Sequence, residues 1–204
     1  MRVPVALSLA VPVLVVGGGI AVYSFSRPVE GQTRTYYIAA DEVTYGPAGQ
    51  GDAQAYRTAV YQEYTDGTFT QVKPRPAEWK HLAFLGPLIR ADVGDTVRVV
   101  FRNRLAFPAN VHPDAVLHHA SGDEQDALSA ATAGAAGLGA DSDLEPVAPG
   151  ATRVYSWAVP RQAGPGPDDH GSVLWLYHSR TGQPTGGEAG LIGPMLVYKR
   201  GALH

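Results

Sequence analysis

Short runs of β-branched and aromatic residues, cut at intervals by Gly and Pro, constrain this chain more than any other feature. Thr96–Asn103 sets the pattern: Val97, Val99 and Phe101 alternate with Arg98 and Arg102 around them. A period of two puts the apolar set on one face, which makes a half-buried strand. Residues 153–159 alternate in the same way, 35–43, 56–64, 172–177 and 190–198 read as further strands, and 85–90 leads into a turn. Residues 68–70 read as extended chain resuming after the tight turn Asp66-Gly67, and Gly193-Pro194 interrupts the last run. Asp92-Val-Gly-Asp95, Pro149-Gly150 and the stretches 46–53 and 164–170 are turn or loop signals between them. The chain has 24 glycines and 16 prolines in 204 residues. No convincing long helix follows residue 26, so the pattern predicts an all-β Greek-key sandwich of roughly seven or eight strands.

The N-terminus is different. Behind Arg2 the chain is uncharged from residue 3 to residue 26. About 20 apolar residues suffice to cross a bilayer, and the preceding positive charge favours export of the downstream domain. The stretch is expected to be an apolar helix, either a signal peptide cut near Ser24-Phe-Ser26 or an anchor holding residues 3–25 in the membrane. Both readings stand open, and both put the domain outside the cytoplasm. Residues 27–33 then form a polar linker and 34–204 the domain. There is no cysteine, which excludes disulfides, zinc–thiolate sites, a thiolate nucleophile and a His₂Cys copper centre within the chain. Net charge is −3 without a long basic run, so nucleic acid is not an expected partner. No nucleophile elbow and no Gly-rich strand-to-helix loop supports a hydrolase or a nucleotide site.

Two segments carry chemistry. The aromatic strand 172–177 delivers His178 at its end, and Asn110-Val-His-Pro-Asp114 delivers His112 after another strand. Residues i and i+2 share a face of a strand, so His112 goes with Asp114 and His178 with Arg180. A second imidazole at i+2 would make a metal-binding pair, but a carboxylate and a guanidinium stand there instead. His118-His119 is a further imidazole cluster, read as a solvated pair or as an accessory copper-capture site. His81, His170 and His204 read as surface residues. Tyr155, Trp157, Trp175 and Tyr177 sit on strand patterns and are expected in the core. Residues 121–143 form an Ala/Gly-rich insert flanked by Asp123, Glu124, Asp126, Asp141 and Asp143.

Several of these segments resemble a known family. Arg34-Thr-Tyr-Tyr-Ile-Ala-Ala-Asp-Glu-Val43, Tyr64-Thr-Asp-Gly-Thr-Phe69, Leu85-Gly-Pro-Leu-Ile-Arg90, Val93-Gly-Asp-Thr-Val97, Val111-His-Pro113, Trp175-Leu-Tyr-His-Ser179 and Gly190-Leu-Ile-Gly-Pro194 match, in order, the first cupredoxin domain of ceruloplasmin-type multicopper oxidases. The resemblance covers nearly all of 33–201 and implies a plastocyanin-like β-barrel or sandwich with copper-binding loops at one end. In the family this domain gives two His-x-His pairs, half the ligands of a three-copper cluster shared with the last cupredoxin domain. His112 and His178 match the first histidine of each pair, while Asp114 and Arg180 occupy the places of the other two. The resemblance therefore implies copper at His112 and His178, with Asp114 as a further donor. The plainer reading is an Asp114–Arg180 salt bridge filling the copper space, because guanidinium cannot coordinate and repels a cation. No His-Cys-His segment is present, so oxidase activity would need a partner chain that carries the blue copper; a non-catalytic scaffold is the alternative, and the expected partner is a second cupredoxin chain or a further copy in a homo-oligomer. Relatives also hold calcium near the acidic insert, which makes Asp123, Glu124, Asp141 and Asp143 candidates beside the plainer reading of a solvated loop.

Overall fold

Alternation along the strands becomes two sheets facing each other across one core. In the computed structural model, described for residues 14–16, 19–21, 31–45, 56–82, 84–114, 117–121, 145–181 and 190–203, the strands are β1 (Leu14–Val16), β2 (Gly19–Ala21), β3 (Thr33–Tyr45), β4 (Tyr56–Tyr64), β5 (Ile89–Asp92), β6 (Thr96–Asn103), β7 (His112–Pro113), β8 (Leu117–Ser121), β9 (Thr152–Ala158), β10 (Ser172–His178) and β11 (Ile192–Tyr198). One sheet has the order β4-β3-β6-β9-β8 and the other β5-β11-β10-β7. Pairing is antiparallel except for β3 with β6 and β5 with β11. The chain is all-β, as the pattern predicts. The helix expected at the N-terminus is not what the described residues form: β1 and β2 pair antiparallel, Val16 opposite Gly19. Valine is stiff at χ1 and suits a strand, and three consecutive glycines oppose a helix. No helix among the described residues is long and apolar enough to cross a membrane; the rest of 3–26 lies outside them.

β6 buries Val97, Val99 and Phe101 completely, the face expected from its period. Tyr61, Tyr155 and Trp157 join them from the same sheet, and Ile89, Tyr177, Met195 and Val197 from the other. Trp175 is instead half-buried at the margin, where its indole N–H donates to Ala163 O at 2.8 Å. The last strand is not interrupted. β11 runs through Gly193-Pro194, paired to β10 with Gly193 opposite Tyr177. The glycine answers a close approach, because a Cβ at 193 would overlap the Tyr177 ring. That ring is fully buried, and its hydroxyl donates to Pro87 O at 2.6 Å. Gly193→Ala is therefore expected to lower stability by about 1–3 kcal/mol, the usual cost of overpacking a core. Urea unfolding would show it as a lower midpoint at unchanged slope, and an unchanged midpoint would contradict the packing described.

Residues 68–70 do not resume an extended chain. Phe69 takes φ 55°, the left-handed region, which a bulky side chain rarely enters. The Asp66 carboxylate accepts the Thr68 N–H at 2.8 Å and forces the turn. Burial compensates: Phe69 packs with Tyr37, Tyr64, Ala39 and Val100 on the outer face of the larger sheet, and Arg102 lies 5.9 Å from its ring centre.

Candidate functional site

The two histidine-bearing segments meet at one end of the sandwich. β7 is only two residues long because Pro113 has no ladder donor to extend it. It still pairs with the end of β10, His112 opposite His178 and Pro113 opposite Tyr177. The imidazole centres are 6.3 Å apart at 73°. His112 is buried and His178 half-buried. The Asp114 N–H donates to Leu176 O at 3.0 Å and carries the register one residue further.

Asp114 and Arg180 lie against these rings. Arg180 Nη2 donates to Asp114 Oδ1 at 3.1 Å, and Arg180 Nε donates to His178 Nε2 at 3.3 Å. Asp114 Oδ1 also stands 3.6 Å from His178 Nδ1. With Nε2 accepting, the ring proton of His178 belongs on Nδ1, facing the carboxylate. Both nitrogens of His178 are thus occupied, one by a cation and one by an anion. Arg180 and Asp114 keep 43% and 34% of their side-chain exposure, so this is a rim network and not a dry ion pair.

A bracket behind the rim holds the geometry, and the sequence did not single it out. Asn110 is fully buried; its Oδ1 accepts the Arg180 N–H at 2.8 Å and the Ser179 hydroxyl at 3.3 Å. Its carbonyl accepts the Tyr61 hydroxyl. One amide side chain therefore ties the His112 segment to the His178 segment. The available signal was an uncharged polar residue between Ala109 and Val111, where a buried segment has to find it partners.

The remaining candidates lie elsewhere. His118 and His119 occupy successive positions of β8, opposite Trp157 and Ser156 in the other sheet. His81 and His170 are exposed. Asp123, Glu124, Asp126, Asp141, Asp143 and His204 lie outside the described residues. Among the described residues no group of three or more His, Cys, Asp or Glu is placed to share a metal ion.

Two facing mixed sheets with paired histidine loops at one end define a cupredoxin-like domain. The family model for multicopper oxidases matches residues 62–202, and the chain belongs to that family. It is 36% identical to mouse hephaestin over 149 residues, which is 73% of this chain and 11% of hephaestin. It is 34% identical to human ceruloplasmin over 197 residues, 84% of this chain and 18% of that protein. Against human ferroxidase HEPHL1 it is 30% identical over 201 residues, 85% and 16%. The chain thus spans less than a fifth of the length of these relatives.

Proposed function

We propose that this chain is an extracytoplasmic cupredoxin domain of multicopper-oxidase descent whose half of the copper cluster has been replaced by an ion-paired network. It belongs to a family of copper-dependent oxidoreductases and acts as a non-catalytic module. The observation that carries the reading is the placement of Arg180, with Nη2 on Asp114 and Nε on the nitrogen lone pair of His178. A cation at His178 would have to displace a guanidinium that cannot lose its charge. His112 alone is too few donors for a copper ion, and Asp114 is engaged by Arg180. The donor set as it stands therefore does not fit copper. Export through residues 3–26, by signal or anchor, belongs to the same reading.

The test is metal content after copper loading and removal of excess. The expected result is well under one copper per chain, unchanged in His112→Ala. One copper per chain, lost in His112→Ala, would overturn the reading.

A second reading keeps catalysis. The matched relatives are several times longer, and one is named a ferroxidase. A partner cupredoxin chain that carries a His-Cys-His segment, docked at the His112/His178 end, would then complete an oxidase. Oxygen consumption with Fe(II) on coexpression with a cupredoxin chain that carries a His-Cys-His segment separates the two: activity above that of the partner alone favours this reading.

A further inference from the structure

One cavity has none of His112, Asp114, His178 or Arg180 in its lining. A groove of about 710 Å³ runs between the 72–88 strap and the wall formed by β3, β4 and Pro194. We propose that it binds an apolar molecule ending in a carboxylate, at a site whose lining is separate from the His112/His178 ion-paired network.

The groove's volume of about 710 Å³ is within the range of small-molecule sites. Tyr36, Tyr61, Trp79, Phe84, Leu82 and Leu88 give it an apolar surface. Val72 at its rim is 47% exposed.

Backbone accounting argues against a peptide in the groove. A peptide adding to a sheet needs a free strand edge. β4 is the edge strand here, but Val60 bridges to Gly190, Tyr64 bridges to Val72, and the Lys73 N–H donates to Glu63 O at 2.8 Å. Residues 60, 63 and 64 of the edge are thus already engaged, by Gly190 and by the strap.

Charge gives the sign of the polar end. Three cations and two carboxylates line the groove. Lys73 and Glu63 neutralise each other at 2.7 Å. Arg75 donates to the carbonyls of Leu82 and Leu85 at 2.5 and 2.6 Å, acceptors that leave its charge uncompensated. The backbone of Arg90 is fixed by the Tyr36 hydroxyl, while its guanidinium is exposed and in no ion pair among the described residues. Two cations thus face one carboxylate, Glu78. Arg90, at the Tyr36 end, is the anchor, and a guanidinium pairs with carboxylate in a bidentate fork.

The test is calorimetric titration of the full chain with dodecanoate below its micelle concentration, with dodecan-1-ol as the neutral probe. Dodecanoate is expected to saturate at one per chain and to bind about tenfold more tightly than the alcohol, the scale of one charge-assisted hydrogen bond. Arg90→Gln should remove that tenfold advantage and leave alcohol binding unchanged. Val72→Trp, at the exposed rim, should weaken both. Absence of saturable binding, equal affinity for acid and alcohol, or indifference to Val72→Trp would each overturn the proposal. So would a dimer in sedimentation whose dissociation alone exposes the site.

Discussion

The double variant Asp114→His/Arg180→His is expected to bind copper far more tightly than the natural chain. The two substitutions put an imidazole two residues beyond each of His112 and His178, on the same strand faces. They also remove the guanidinium from His178 Nε2, where it now donates at 3.3 Å. Electrostatics alone give a sizeable gain. A unit charge about 4 Å from another is worth roughly 1–4 kcal/mol between water and a protein surface, and a divalent ion doubles that. Taking the low end, because Arg180 is 43% exposed, the repulsion relieved is about 2 kcal/mol, some thirtyfold in affinity. Two added imidazoles on a metal that favours nitrogen carry this past about a hundredfold. Arg180→His alone should fall between, since Asp114 would then be released as an oxygen donor. Copper per chain and the Cu(II) electron paramagnetic resonance spectrum are the readouts. A folded double variant that takes up no more copper than the natural chain would mean that these positions are not former ligand sites.

Strand arithmetic goes far in this chain and stops at identifiable points. The period of two is enough to bury Val97, Val99 and Phe101, and to put 112 with 114 and 178 with 180. It says nothing of how two loops from different strands are tied together. That depends on Asn110, whose side chain bonds residues 69 and 70 positions away, and contacts at that separation leave no local trace. Gly193-Pro194 misled for a related reason. The pair reads as a break, but the glycine serves the ring of Tyr177 on the neighbouring strand. Phe69 shows the opposite failure. Local propensity favours extended backbone, and tertiary burial against Tyr37 and Tyr64 overrides it at the cost of a left-handed φ.

The turn Asp92-Val-Gly-Asp95 predicts the largest loss of stability, because both ends of the domain converge on it. Asp95 Oδ1 accepts the Gln32 N–H at 2.8 Å, and its Oδ2 accepts Arg34 Nε at 2.5 Å and the Asp92 N–H at 2.9 Å. Asp92 in turn accepts the Leu203 N–H at 3.1 Å. Gly94 makes the turn at φ 95°, a conformation that favours glycine, and donates to Val159 O at 2.9 Å. One carboxylate therefore fixes the entry of β3, the start of β6 and, through Asp92, the exit after β11. Only 3% of the Asp95 side chain is exposed, against 24% for Arg34. Asp95→Ala leaves a half-buried guanidinium and two N–H groups without their acceptor. Breaking a buried pair costs about 3–5 kcal/mol; discounted for the exposure of Arg34, the expectation is about 2–4 kcal/mol, a large part of the stability of an ordinary domain. The pH dependence has a definite sign. Burial alone would raise the Asp95 pKa, but the Gln32 and Asp92 amides and Arg34 together hold it below the ordinary carboxylate range. A carboxyl group lowered in the folded state stabilises fully above its unfolded pKa, near 3.9, and loses that contribution as pH falls through the folded value. The stability gap between the natural chain and Asp95→Ala should therefore hold from pH 7 down to about pH 4 and narrow below it. Urea unfolding of both chains across that range measures the gap, and a gap that stays constant into acid would mean that Asp95 acts by shape and not by charge.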